Sequence, residues 1–363
     1  MDAKFKKLTK LEKGIYSDAA KSGKPLSSWL EDFITTEEGG GFEPTPYKGL
    51  TQHEVLQKRK ALRASGQDVP PTAFEMTLHA NGIKAFGAYT DTVGKMFEAN
   101  GAVLFPEFMQ NRVYAGKIQA SIVPHFISET IVIKGLNYHE VYLGTTEGDR
   151  QTGKTARATE FPRKRIEVNE RSVALDKFGI NLVFDYESIQ DTPLNLYGAT
   201  LKQVGLQLGV DESDDLITKL VANLDSGNVE TTEATGVIEK KDIIKLAAAL
   251  DLPYQLKVFV GRKNYMIAFW DALSDMQNPA TQWGQTGMVL PQGYAWDRDP
   301  VTADRFIGVD PDTTATLITN DVVMMTETDR IISKQVIETV LSTRSKFNIT
   351  DTAGIGALDI EHA

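Results

Sequence analysis

Cysteine is missing from all 363 residues, which excludes a disulfide framework, a thiolate nucleophile and a zinc ribbon. Stability therefore has to come from packing. Long apolar runs are missing too, so no segment is suited to cross a bilayer as a helix. The lysine-bearing start, MDAKFKKLTKLEKG, lacks the apolar stretch of a secretory signal, and the expectation is an intracellular product. Histidine is scarce: His53, His79, His125, His139 and His362 are scattered, none at metal-ligand spacing from another, so neither a metal site nor a cofactor is expected. There is no glycine-serine-glycine nucleophile elbow and no GxGxxG dinucleotide turn. Positive charge is in deficit, with 39 Lys and Arg against 49 Asp and Glu and a net charge of −10. That balance argues against a tight, sequence-reading nucleic-acid binder and leaves loose coexistence with nucleic acid open.

What is present is a composition of 41% hydrophobic and 24% charged residues, suited to a sizeable core, in a chain longer than one ordinary domain. One motif demands a test. Gly148 to Thr155, GDRQTGKT, fits the phosphate-loop pattern, and the later NLVFDYE offers an acidic strand end at Asp185. A phosphate loop needs a helix starting at its Lys-Ser/Thr pair, here Lys154 and Thr155. The following ARATEFPRKRIEV has Pro162 where the second turn would run and no apolar stripe before it, so the helix half is missing. Arg150, Lys154, Arg157, Arg163, Lys164 and Arg165 face Glu160 alone in this stretch, a density that belongs on an exposed tip or a partner-binding surface.

Residues 1–75 carry lysines, then EEGGGFEPTPYKG and RASGQDVPPT, and read as an arm without its own core, with two short helices near Ser27–Ile34 and Gln52–Arg63. With Met1 in place, the arm is expected to be retained. From Phe86 to Phe126 apolar residues return in helical groups, with Pro106 expected to break the run and Pro124 to end it. ETIVIKGLNYHEVYLG reads as strand. Phe178, Ile180, Leu182, Phe184 and Tyr186 alternate with Gly179, Asn181, Val183 and Asp185, a long strand with one buried face. Strands flanking a charged, glycine-containing tip make an extended hairpin. Leu194, Tyr197, Leu201, Val204 and Leu208 then keep helical spacing, continued by Leu216, Leu220 and Leu224 after a phase slip at Gly209. KKDIIKLAAAL and NYMIAFWDALS read as helices. LKVFVG, RFIGVD and TATLIT read as strands, and DRIISKQVIETVLSTRSKFNITD before AGIGALDI as a long strand or a strand pair. Trp270, Trp283 and Trp296, beside Gly- and Pro-rich loops, suit a pocket lining or anchors between subunits equally.

The order of these parts resembles the major capsid proteins of tailed bacteriophages, the Hong Kong 97-type fold. The likeness is carried by GAVLFPEFMQNRVYAG, by FDYESIQDTPLNLYGATLKQVGLQLGVDESDDLITKL and by DRIISKQVIETVLSTRSKFNITDTAGIGALDI. It implies an α+β fold: an N-terminal arm or extension (1–90) and an E-loop hairpin (136–180). A peripheral domain with a long spine helix (91–135, 181–235 and 328–350) and an axial domain (236–327 and 351–363) complete it. It further implies homo-hexamers and pentamers of an icosahedral shell around packaged double-stranded DNA, no catalytic residues, no membrane, and portal, scaffold and decoration proteins as partners, in a virion made in the host cytoplasm. An encapsulin compartment shell is the alternative within the fold, and a nucleotide hydrolase using Lys154 and Thr155 the alternative outside it.

Two expectations follow for the hairpin. Both it and the arm should find their apolar complement on other copies of the chain. The basic tip, Arg150, Lys154, Arg157, Arg163, Lys164 and Arg165, would dock on a neighbour's acidic segment, Asp211, Glu212, Asp214 and Asp215; the plain reading is that both are solvated faces.

Overall fold

The computed structural model describes residues 8–9, 14–87, 89–97, 101–143, 166–185, 191–233, 238–250, 254–274, 291–298, 304–320, 324–331 and 335–360. The helices, in chain order, are α1 (Gly14–Lys21), α2 (Leu26–Phe33), α3 (Gln52–Ala64), α4 (Ala73–Ala80), α5 (Val93–Met96), α6 (Gly101–Ala120), α7 (Leu194–Ala222), α8 (Lys240–Ala248) and α9 (Lys263–Ser274). The strands are β1 (Glu129–Ile133), β2 (Asn137–Leu143), β3 (Ile166–Ala174), β4 (Asp176–Asp185), β5 (Val229–Thr231), β6 (Val258–Gly261), β7 (Gln292–Ala295), β8 (Arg305–Val309), β9 (Ala315–Asn320), β10 (Met325–Ile331), β11 (Val336–Ile349) and β12 (Ile355–Asp359). They form two compact units. The first comprises Met1–Ser121, Lys177–Val210 and Asp321–Arg344, the second Ile122–Asp176, Asp211–Asn320 and Ser345–Ala363.

In the first unit, α6 and the opening half of α7 are the centre of one core. Leu104, Phe105, Phe108, Met109 and Val113 meet Leu194, Tyr197 and Leu201 there. The two helices touch at glycines: a Cβ on Gly205 would lie 1.9 Å from the Val113 carbonyl oxygen, and one on Gly116 2.1 Å from that of Lys202. Pro106 does not break α6, contrary to expectation. The helical donor that Pro106 lacks would have gone to the Ala102 carbonyl, and Ala102 is exposed, so that carbonyl is not buried without a partner, while packing on the other side holds the helix. β4 and β10 both pair with β11. Phe178, Leu182 and Phe184 of β4 pack partly buried on the core, whereas Ile180, expected on the same buried face, is 39% exposed and Tyr186 lies outside the described residues.

The N-terminal segment departs from the coreless arm read from sequence. Leu26, Leu30 and Ile34, spaced four apart along one helical face, are fully buried with Ala73, Phe74 and Leu78 in the same cluster as α6. Trp29 stacks on Phe33 at 4.7 Å. α3 and α4 each open with a capping box, Thr51 with Glu54 and Thr72 with Glu75. The segment thus finds its apolar complement within its own chain.

In the second unit, the five-stranded sheet β5-β12-β8-β6-β7 lies between two cores. All four residues of β6 are buried, as in a strand covered on both faces. Val258, Val260, Ile307 and Val309 face Leu216, Ile217 and Leu220 from the closing half of α7. Phe259, Phe306 and Leu358 face Ile243 and Leu246 of α8 and Met266 and Phe269 of α9. β9 pairs in parallel with β1 and antiparallel with the end of β11. β2 and β3 form a separate two-stranded ribbon paired from Asn137↔Ala174 to Leu143↔Ile166, with a register shift between His139 and Val141. α7 is one unbroken helix of 29 residues, about 43 Å long.

Candidate assembly surfaces

The hairpin is fixed at its root. The Leu175 amide donates to the Leu136 carbonyl at 2.9 Å, Asn320 donates to the Gly135 carbonyl at 2.9 Å, and Lys346 on β11 donates to the Ala174 carbonyl at 3.2 Å. The same ammonium lies 3.7 Å from the Asp176 carboxylate. Beyond this root, β2 and β3 pair only with each other among the described residues. A lone two-stranded ribbon is marginal in water. The root gives it a defined direction, and its own strands give it no third partner.

The basic tip and the phosphate-loop-like stretch, with Arg150, Lys154, Arg157, Arg163, Lys164 and Arg165, lie outside the described residues, as does Trp283. The acidic segment of α7 is described, and its four carboxylates differ from one another. Glu212 is 3% exposed and accepts from the Ser345 hydroxyl at 3.3 Å. Asp215 has one buried carboxylate oxygen without a hydrogen-bond partner; burial pushes its carboxyl up, against the pull of Lys219 and Lys346. Asp211 and Asp214 share Arg298, at 2.9 and 2.8 Å, and Asp214 also accepts from the Trp296 indole at 2.6 Å. Trp296 is thus an anchor inside its own unit. Asp211 and Asp214 are both partly exposed, and Arg298 already offsets one of their two charges.

Apolar side chains remain exposed in both units. Val132, 59% exposed, and Ile131 lie on β1, the edge of its sheet among the described residues. Ile267 and Trp270 lie on the outer side of α9, and Tyr89, Phe86 and Leu196 near the start of α7. An unpaired edge carrying β-branched residues is a pairing hazard that proteins cover or blunt. No sequence signal separated these residues from core positions, because Ile131 and Ile267 stand in runs as apolar as those of buried elements. No cluster of His, Asp and Glu able to hold a metal ion occurs among the described residues, and no helix among them is long and apolar enough to cross a membrane.

The chain matches no family model, and no curated protein matches it. Among solved structures it is similar to a phage-related protein of Bordetella bronchiseptica, at 8% identity and a TM-score of 0.50, over 68% of this chain and 95% of that one. It is similar to the capsid of an empty GTA particle at 13% identity and a TM-score of 0.49, over 67% and 90% of the two chains. It is also similar to a Synechococcus elongatus encapsulin at 9% identity and a TM-score of 0.46, over 66% and 87%. Identities this low show the fold alone. The likeness to nearly the whole phage-related protein carries the assignment, and the chain has the α+β fold implied by the order of its segments.

Proposed function

We propose that this chain is a major capsid protein, a structural subunit without catalytic residues that assembles into hexamers and pentamers of an icosahedral phage head around double-stranded DNA. The observation that carries the reading is the β2–β3 ribbon: rooted firmly, paired with neither five-stranded sheet among the described residues, and with a basic stretch between its two strands in the sequence. Such an element gains its third surface from a neighbouring copy. The fold shared with a phage-related protein supports the same reading. Within it, residues 136–180 are the E-loop, residues 91–135, 181–235 and 328–350 the peripheral domain, and residues 236–327 and 351–363 the axial domain. Portal, scaffold and decoration proteins are its further partners and the virion its location. The net charge of −10 suits a wall that must not grip its cargo.

The tip-to-helix docking belongs to this reading in a narrowed form. Arg163, Lys164 and Arg165 would compete with Arg298 for Asp211 and Asp214, so the contact is a network weak at each pair and sensitive to salt. The test is to join Leu143 to Ile166, a register pair, through an Asn-Gly turn that removes residues 144–165. The shortened chain should unfold at the same urea concentration as the parent and form no closed shells by electron microscopy. Normal shells from the shortened chain would remove the role assigned to the hairpin.

A further inference from the structure

Arg112 on α6 has no ion-pair partner among the described residues, although much of its side chain is withdrawn from water. Its guanidinium carbon lies 4.6 Å from the Phe86 ring centroid and 5.3 Å from that of Phe108, and the two rings meet edge to face at 6.4 Å. On the remaining side stands Gly198 of α7, where a Cβ would come within 3.0 Å of Nε and 3.5 Å of Cζ. The slot is therefore shaped for a flat cation. Its hydrogen bonding is incomplete: Nε is buried with no acceptor, and Nη2 reaches only the Ala85 carbonyl, at 3.4 Å. The nearby charges do not repair this. Glu75 favours the cation while Arg59 and Arg63 oppose it, and Glu75 is already held by Arg59 at 2.8 Å. Of the charges that act on Arg112, two are guanidinium groups and one is a carboxylate already engaged by Arg59.

A desolvated arginine between aromatic rings is the composition of an interface anchor, and arginine is preferred where a planar carboxylate must be received. The rim fits that use. Phe86 is 39% exposed, and Tyr89, three residues on, is 93% exposed with its ring standing in solvent. Resting on the shell reading above, we infer that the Arg112–Phe86–Tyr89 cluster receives an aspartate or glutamate side chain of a second copy of this chain. The carboxylate accepts from the outer guanidinium edge while Tyr89 packs beside it. A second copy is the favoured occupant because its 49 acidic residues exceed its 39 basic ones, so not every carboxylate can be paired with a cation of its own chain.

The test places the photoreactive residue p-benzoylphenylalanine at Tyr89, irradiates assembled particles, and maps adducts by mass spectrometry. The expected result is an adduct between two subunits, on a peptide containing Asp or Glu. Arg112→Gln in the same background should lower its yield about tenfold at matched particle concentration, with Arg112→Lys in between. Particles that yield no such adduct, or an adduct to nucleic acid, overturn the inference and leave the shell reading standing. Failure of the parent chain to form particles overturns both. Should Arg112→Gln not fold, the adduct from the otherwise unsubstituted chain still decides the matter.

Discussion

Glu107 sits on α6 with its side chain 1% exposed, and it accepts from the Ser27 amide at 3.1 Å and the Asn111 amide at 3.3 Å. Gln52 closes the cluster by donating to the Ser27 hydroxyl at 2.8 Å and to the Asn111 oxygen at 2.7 Å. Burial pushes the Glu107 carboxyl from 4.5 up to about 7, against the pull of its hydrogen bonds. The folded chain therefore binds this proton more tightly than the unfolded chain. Stability falls as pH rises from about 4.5 to about 7 and then levels off, for a loss of roughly 3 kcal/mol. Glu107→Gln keeps the acceptor for Ser27 and Asn111 and removes the charge. Its urea midpoint, followed by tryptophan fluorescence of the dispersed subunit, should vary less with pH than that of the parent. The difference between the two curves should grow in the variant's favour from pH 4.5 to pH 7.5. Glu31, also pushed up by burial, contributes a slope of the same sign that remains in both proteins and cancels in the difference. A pH-independent difference would refute the reasoning, because an offset from the new amide has no reason to titrate.

Other outcomes follow from the same geometry. Gly205→Ala places a methyl inside the van der Waals radius of the Val113 carbonyl, so α6 and α7 must part, and the urea midpoint should fall by the equivalent of more than about 2 kcal/mol. Arg298→Ala frees Asp211 and Asp214. It should change subunit stability by no more than about 1 kcal/mol, since all three side chains are partly exposed. By light scattering at low salt it should speed assembly, and reversing Arg163, Lys164 and Arg165 to Glu should slow it. Assembly that ignores both changes would remove the tip-to-helix contact.

Much of the fold was written in periodicity. The apolar residues from Leu194 to Leu220 announced α7, strict alternation announced β4, and the short helices expected at Ser27–Ile34 and Gln52–Arg63 correspond to α2 and α3. Their burial was not legible, because the glycine, proline and glutamate between them hide that Leu26, Leu30 and Ile34 share a face with α6 to pack on. For α4 a local signal is present, since Thr72 and Glu75 spell a capping box ahead of AFEMTLHA. Charge patterning misled at DESDD. It predicts a solvated face, yet one turn of helix buries Glu212 and leaves Asp211 half-exposed, and only tertiary packing decides which. Arg112 gave no warning at all. An arginine within EFMQNRVYAG looks like any solvent-facing helical position until the two phenylalanines close over it.

Electron microscopy of the purified chain, alone and after isolation with its contents, tests the self-assembling shell most directly. The account predicts closed icosahedral particles of megadalton mass that enclose double-stranded DNA when isolated from their natural source. Closed particles carrying protein cargo and no DNA would point to the compartment-shell alternative, and a chain that stays a single 40.1 kDa subunit at high concentration would contradict the account.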